Sequence, residues 1–346
     1  MPPSGAATSS AAGAVEPHRL SNMVSPGAGP AGRPPADPLI GPGASVQAAL
    51  GTPAQFAPAQ IERQVESVAR EVESLRYELD LMRRRDDALN TYLRKMDEEL
   101  RLAARLQQDF LPKSMPQVGR VRFHTLFRPA GYVSGDLYDV SRLDERRVGF
   151  YMADAVGHGV PAALLTMFIK HALQTKEIDP RGKGYRLLEP GETLRRLNDR
   201  LIDQNLSHST FATALYGTVD VETLQVTVAR AGHPHPLVLR ADGPAETLRV
   251  EGSLLGIFPD ETYGNYTTHL HPGDRLVVYT DGLDVAFAET EEEEQGDTPR
   301  WRVELLKRRH LPAGQLLSEF AEAIDAETGS LRPKDDVTLV LVEALA

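Results

Sequence analysis

The chain has 346 residues, 41% hydrophobic and 25% charged, enough for one large domain or two smaller ones, and its formal charge of −11 offers no chain-wide basic field for a nucleic-acid backbone. It has no cysteine, which excludes disulfides, zinc–thiolate sites and every cysteine-nucleophile mechanism. No run approaches the roughly 18 to 20 uncharged apolar residues of a membrane span, and no signal peptide is recognisable at the N-terminus, so a cytoplasmic protein with no membrane span and no nucleic-acid partner is expected.

Residues 1–58 are rich in Gly, Ala, Pro and Ser, in pieces such as SPGAGPAGRPPADP, and hold few large apolar groups; a disordered tail is expected. From Ile61 apolar residues recur at alternating spacings of four and three. Val65, Val72, Leu79, Leu93 and Leu100 fall at heptad position a, and Val68, Leu75, Met82, Leu89 and Met96 at d. Asp86 is the polar exception at a, just after Arg83, Arg84 and Arg85. Such a stripe predicts a two-stranded coiled coil over 61–106, and hence a homodimer; the alternative is one long helix laid on its own domain. Pro112 and Pro116 end the helix, giving a coiled-coil segment at 59–111 and a folded domain at 112–346.

Within that domain, strand-like runs begin at 121 (VRFHTLF), 147 (RVGFYMAD), 211 (FATALYGTVD), 224 (LQVTVAR), 236 (PLVLR), 275 (RLVVYTD) and 336 (DVTLVLVEAL). Helical patterns run from Pro161 to about Gln174, from Glu192 to about Asp203 and around 313–327. Strands that follow one another this closely predict an α+β fold of antiparallel sheets with packed helices.

Several of these runs place an aspartate at a strand end or in the adjoining turn. GDLYD sets Asp136 and Asp139 around a glycine turn, VGFYMAD ends on Asp154, LVVYTDG carries Asp281, and KDDVTLVLV begins with Asp335 and Asp336. Each alone reads as readily as a turn residue or a cap. Brought together, such carboxylates repel one another unless a cation neutralises them. With no cysteine and no HExxH pattern, the donors are oxygens, which suits Mg²⁺ or Mn²⁺.

GDLYD, DAVGHGVPAAL, AGHPHP, YTDG and DDVTLVLV, in that order and spanning about 105–346, resemble the SpoIIE/RsbU-like branch of the metal-dependent 2C-type (PPM) serine/threonine phosphatases. The resemblance implies an αββα sandwich, two antiparallel sheets flanked by helices. It also implies two divalent cations, Mn²⁺ or Mg²⁺, held by Asp136, Asp154, the backbone carbonyl of Ala155, Asp281 and Asp335, with Asp336 and Asp139 left to orient waters or loops. Two cations about 3.5 to 4 Å apart would activate a shared water for in-line attack on phosphorus. Gly157 and Gly159 would allow close backbone approach, and Pro161 suits the first helical turn after them. His158 is a candidate proton donor to the leaving oxygen, against a structural role in its loop. His233 and His235, each beside proline, read as structural, and Arg128 as either a phosphate partner or a surface arginine. The acidic run ETEEEE at 289–294 reads as a solvated loop.

Two positions depart from the family pattern. Ser134 precedes Gly135 where a second glycine is more usual, and Asp284 with Val285 follows TDG where a glutamate is common. The resemblance implies as substrate a phosphoserine or phosphothreonine protein, often a STAS-type anti-anti-sigma factor in a partner-switching pathway, and ARLQQDFLP resembles the family's regulatory helix at the linker junction. A catalytically silent scaffold of the same fold is the alternative; the intact carboxylates argue against it.

Overall fold

In chain order, the computed structural model describes residues 58–346 except 180, 183, 206–209, 288–297 and 329–332. The tail up to residue 57 and the acidic run at 289–294 therefore lie outside the described residues. The elements are α1 (Pro58–Phe110), β1 (Val121–Arg128), β2 (Asp136–Arg142), β3 (Arg147–Ala155), α2 (Val160–Ala172), β4 (Lys176–Ile178), β5 (Tyr185–Leu187), α3 (Pro190–Asp203) and β6 (Ala212–Asp220). They continue with β7 (Gln225–Ala231), β8 (Leu237–Leu239), β9 (Glu246–Thr247), β10 (Tyr266–His269), β11 (Arg275–Tyr279), α4 (Gly282–Ala286), α5 (Arg300–Lys307), α6 (Ala313–Thr328) and β12 (Val337–Ala344).

Two five-stranded antiparallel sheets result, ordered β1-β12-β11-β8-β9 and β10-β7-β6-β3-β2, with a small β4-β5 ribbon beside them. Side chains along a strand point alternately to its two faces, and here both faces are covered. Tyr138, Val140, Phe150 and Met152 of one sheet share a core with Phe123, Leu276, Val278, Val340 and Val342 of the other. The intervening residues Leu137, Tyr151 and Ala153 pack against Ile169 of α2 and Leu194 and Leu197 of α3. On the opposite outer face Val277, Leu339 and Leu341 meet Trp301, Leu305 and Phe320 of the C-terminal helices. This is the expected αββα sandwich. Complete burial of a side chain such as Phe150 or Met152 contributes roughly 1.5–3 kcal/mol.

The GDLYD segment differs from the sequence expectation. It is not a turn between two aspartates: β2 starts at Asp136 itself, and Tyr138 and Val140 face the inter-sheet core. Two carboxylates in seven residues hid the strand signal. The edge strand β10, YTTH, was missed because it carries no large aliphatic residue, and α4 because one turn has no periodicity to read.

Helix α1 stops two residues before Pro112, where the missing N–H and the restriction on the preceding residue disfavour continuation. The chain divides into two units within this helix, between Arg76 and Tyr77. In the first unit the described residues are helical, and Ile61, Val65, Val68, Val72 and Leu75 are all exposed, Val65 at 63%. In the second, Gln107 near the helix end is buried. Among the described residues no helix is long and apolar enough to cross a membrane.

Candidate metal centre

Asp136, first residue of β2, lies directly opposite Asp154 in the β2–β3 register, so both carboxylates stand at one end of the same sheet. The other sheet contributes its own strand ends. Tyr279 pairs with Leu339, which sets Thr280 across from Thr338: Thr280 N–H donates to the Thr338 carbonyl at 3.0 Å, and Thr338 N–H to Thr280 Oγ1 at 3.0 Å. Asp281 therefore follows β11 where Asp335 and Asp336 lead into β12. The hydroxyls of Thr280 and Thr338 both donate to Asp136 Oδ2, at 2.9 and 2.5 Å. That clasp joins the two sheets at the buried aspartate.

Gly282 makes this junction possible. A Cβ there would fall 1.9 Å from the Asp336 carbonyl oxygen. Gly135 is nearly as confined, since its Cβ would lie 3.1 Å from the Ala155 carbonyl oxygen, and Ala155 N–H donates to the Gly135 carbonyl at 3.0 Å.

The loop before Asp136 is held from two directions. Asp336 accepts the Ala130 N–H with Oδ1 and the Gly135 N–H with Oδ2, both at 2.7 Å. Gln107 of α1 forms a paired contact with Ser134, donating to its carbonyl at 2.7 Å and accepting its N–H at 2.8 Å. Ser134 Oγ in turn accepts the Asp136 N–H at 3.0 Å. The serine that replaces the more usual glycine thus satisfies a buried amide. The other departure also has a partner: Asp284 accepts the indole N–H of Trp301 at 2.7 Å.

Burial, followed by repulsion from Asp281, Asp335 and Asp336, pushes Asp154 up to about 7. Burial and then Asp154 hold Asp136 well above the ordinary carboxylate range, against the opposing pull of the Thr338 hydroxyl. Asp281 is exposed on one side, yet the protein on its other side and then Asp335 raise it as well. The carboxylates share one electrostatic field, although among the described residues no three acidic or histidine side chains already form a closed coordination shell. An all-oxygen donor set with uncompensated negative charge fits a hard divalent cation.

His158 shares a cleft with one of the four, Asp335. It is exposed between Gly157 (φ +87°) and Gly159 (φ +77°), in a cleft of about 690 Å³ that it lines with Leu100, Tyr132, Val133 and Lys334–Asp336. A larger cavity of about 900 Å³ includes none of the four candidate aspartates, and its Arg146 and Arg147 are paired with Asp220 and Asp144. Asp139 is directed elsewhere, pairing with Lys170 of α2 at 2.9 Å. Arg128 lines a separate cleft and pairs with Asp325 at 3.8 Å. His233 is fully buried, 2.8 Å from Thr213 Oγ1 through Nδ1, and burial followed by the Arg230 charge lowers it to about 3. His235 Nδ1 accepts the Val250 N–H at 3.2 Å. Both histidines brace the fold.

Thr280, Thr338 and Gln107 escaped sequence reasoning. The threonines had a signal, a hydroxyl beside each acidic motif in YTDG and DDVT, whereas Gln107 in LQQDF had none. Thr338→Val keeps the side-chain shape and removes a hydroxyl from Asp136. It is expected to weaken Mn²⁺ binding by about 10–100-fold, the usual cost of losing a group that orients a ligand, as measured by calorimetric titration; unchanged affinity would rule out that role.

The family model described as Stage II sporulation protein E (SpoIIE) matches residues 144–345, a span that contains Asp154, Asp281 and Asp335 and begins after Asp136. Phosphoserine phosphatase RsbU of Bacillus subtilis (strain 168) is 32% identical over 190 residues, 55% of this chain and 54% of the relative. Phosphoserine phosphatase RsbP of the same organism is 28% identical over 190 residues, 54% of this chain and 45% of the relative. The chain spans about half the length of these curated relatives. Among solved structures, the SiaA-PP2C domain of Pseudomonas aeruginosa superposes with a TM-score of 0.61 at 22% identity, covering 73% of this chain and 98% of that one. The RsbU and RsbW domains of Rv1364c from Mycobacterium tuberculosis give 0.54 at 24% identity, covering 67% and 62%. At these identities the structural likeness speaks for the fold. The family match covers more than half of the sequence, and the chain belongs to the SpoIIE family.

Proposed function

We propose that the protein is a metal-dependent phosphatase that hydrolyses phosphoserine or phosphothreonine on a regulatory protein. The observation that carries this reading is the meeting of the Asp136–Asp154 register pair with Asp281 and Asp335 at neighbouring strand ends, where Asp154 is raised to about 7. Asp136, Asp154, Asp281, Asp335 and the Ala155 carbonyl would hold two divalent cations, Mn²⁺ or Mg²⁺. Bound there, the cations supply Lewis acidity that makes water nucleophilic near neutral pH and offsets charge on the phosphoryl group. The protein's own part is to hold these donors in place through the threonine clasp and the Asp336-pinned loop. His158, exposed in the cleft, would deliver a proton to the departing serine or threonine oxygen.

The test is turnover of a phosphoserine peptide or a chromogenic phosphate ester with Mn²⁺. Activity abolished by chelation supports the enzyme; no turnover of either substrate by protein with bound Mn²⁺ would instead favour a silent scaffold. The substrate class is proposed as a phosphorylated STAS-type protein, in keeping with relatives named phosphoserine phosphatases. Loss of phosphate from purified candidates on incubation with the protein checks it.

The exposed apolar stripe of α1 supports a homodimer formed through 61–106. Gln107 and the Ser134 loop give that helix a route to Asp136, so a shift in its register would alter the metal site. The double substitution Leu75→Glu and Leu79→Glu is expected to yield monomers by sedimentation and to change the rate of phosphate release. A dimer of unchanged rate would remove the coiled-coil proposal.

A further inference from the structure

The cleft beside Asp335 has a wall of Leu100, Tyr132 and Val133 and an acidic end at Asp335 and Asp336. A phosphoryl dianion entering it passes these carboxylates, whose charge repels it wherever no cation offsets it. Lys334 supplies the fixed cation among the described lining residues. It immediately precedes Asp335, is exposed, and among the described residues forms no ion pair that would commit its charge. Arg128, the arginine suggested by sequence for a phosphate, is turned to Asp325 in another cleft.

We propose that Lys334 binds the phosphoryl group of the substrate as it enters this cleft, an assignment that rests on the phosphatase reading. A lysine ammonium is a compact charge with three donors on a flexible stem. It can follow a phosphoryl oxygen without demanding the paired geometry of an arginine. From its position at the cleft lining, Lys334 draws the anion toward the aspartate cluster and lowers the repulsion of approach. The interaction is made with the bound substrate and persists through the reaction, so its loss falls on KM more than on kcat.

The experiment compares full-length wild type, Lys334→Gln and Lys334→Arg, each loaded with Mn²⁺. KM and kcat are measured for a phosphoserine peptide, and the binding of Mn²⁺ and of inorganic phosphate is measured by calorimetry. Lys334→Gln is expected to raise KM by about tenfold and to weaken phosphate binding by a similar factor, the scale of one charge-assisted contact. Its kcat should change less than about threefold. Lys334→Arg, which keeps the charge, is expected to recover most of both losses. Unchanged KM and phosphate affinity in Lys334→Gln would overturn the assignment, as would tighter Mn²⁺ binding with phosphate affinity intact, which would make the lysine only a countercharge to Asp335. Wild type that binds Mn²⁺ but turns over no substrate would instead remove the phosphatase reading and this assignment with it.

Discussion

Asp154→Asn is expected to cut kcat/KM by more than about 100-fold, beyond the 10–100-fold that loss of a merely orienting neighbour costs, and at the same time to make the chelated protein more stable. The second effect follows from electrostatics. A carboxyl raised from the ordinary 3.8 to about 7 holds its proton more tightly in the folded state than in the unfolded chain. Folding stability therefore falls as pH rises through that window, and the full cost is present above it. Asparagine removes the ionisation. At pH 8 in chelator the variant should gain on the order of 2–4 kcal/mol over wild type by denaturant unfolding, and the difference should vanish at pH 3. Lost activity together with lost stability would show that the carboxylate is structural rather than a strained ligand.

Gly282→Ala is expected to be the most damaging small substitution at the site. The added methyl would lie 1.9 Å from the Asp336 carbonyl oxygen and 2.8 Å from its carbon, backbone atoms that cannot swing aside, with Val337 Cγ2 at 3.3 Å. Overpacking typically costs about 1–3 kcal/mol, and more where the backbone must move. Here at least about 3 kcal/mol is expected in denaturant unfolding, with Mn²⁺ affinity lowered because Asp281 is pushed away from Asp335. Gly157→Ala is the contrasting case. Space is open around its Cβ, but φ is +87°, so a smaller loss of about 1–2 kcal/mol is expected from backbone strain alone. Equal effects at the two glycines would mean that close packing at Gly282 is not what holds the strand ends together.

The two positions also mark how far sequence could reach. Long apolar strands such as FATALYGTVD and DVTLVLVEAL declared themselves because burial on both faces leaves little room for polar residues. β2 did not, since Asp136 and Asp139 face different surroundings, the inter-sheet end and Lys170 of α2, and neither destination is written in the local pattern. The aspartates were legible as a group through their motifs. Their separate tasks were not: that Asp336 is tied up by Ala130 and Gly135, while Asp335 lines the cleft, depends on contacts about 200 positions apart in sequence. The same holds for Gln107, whose partner Ser134 lies 27 residues away across a chain reversal.

The hydroxyl clasp from Thr280 and Thr338 to Asp136 makes one carboxylate a fastener of the sandwich as well as a candidate ligand. If Asp136 ligates a cation, filling the site and closing the fold become linked, and a divalent ion would behave as a folding ligand whose stabilisation grows with the logarithm of its free concentration. Unfolding curves recorded across a series of Mn²⁺ concentrations would thereby report occupancy of the centre with no substrate present.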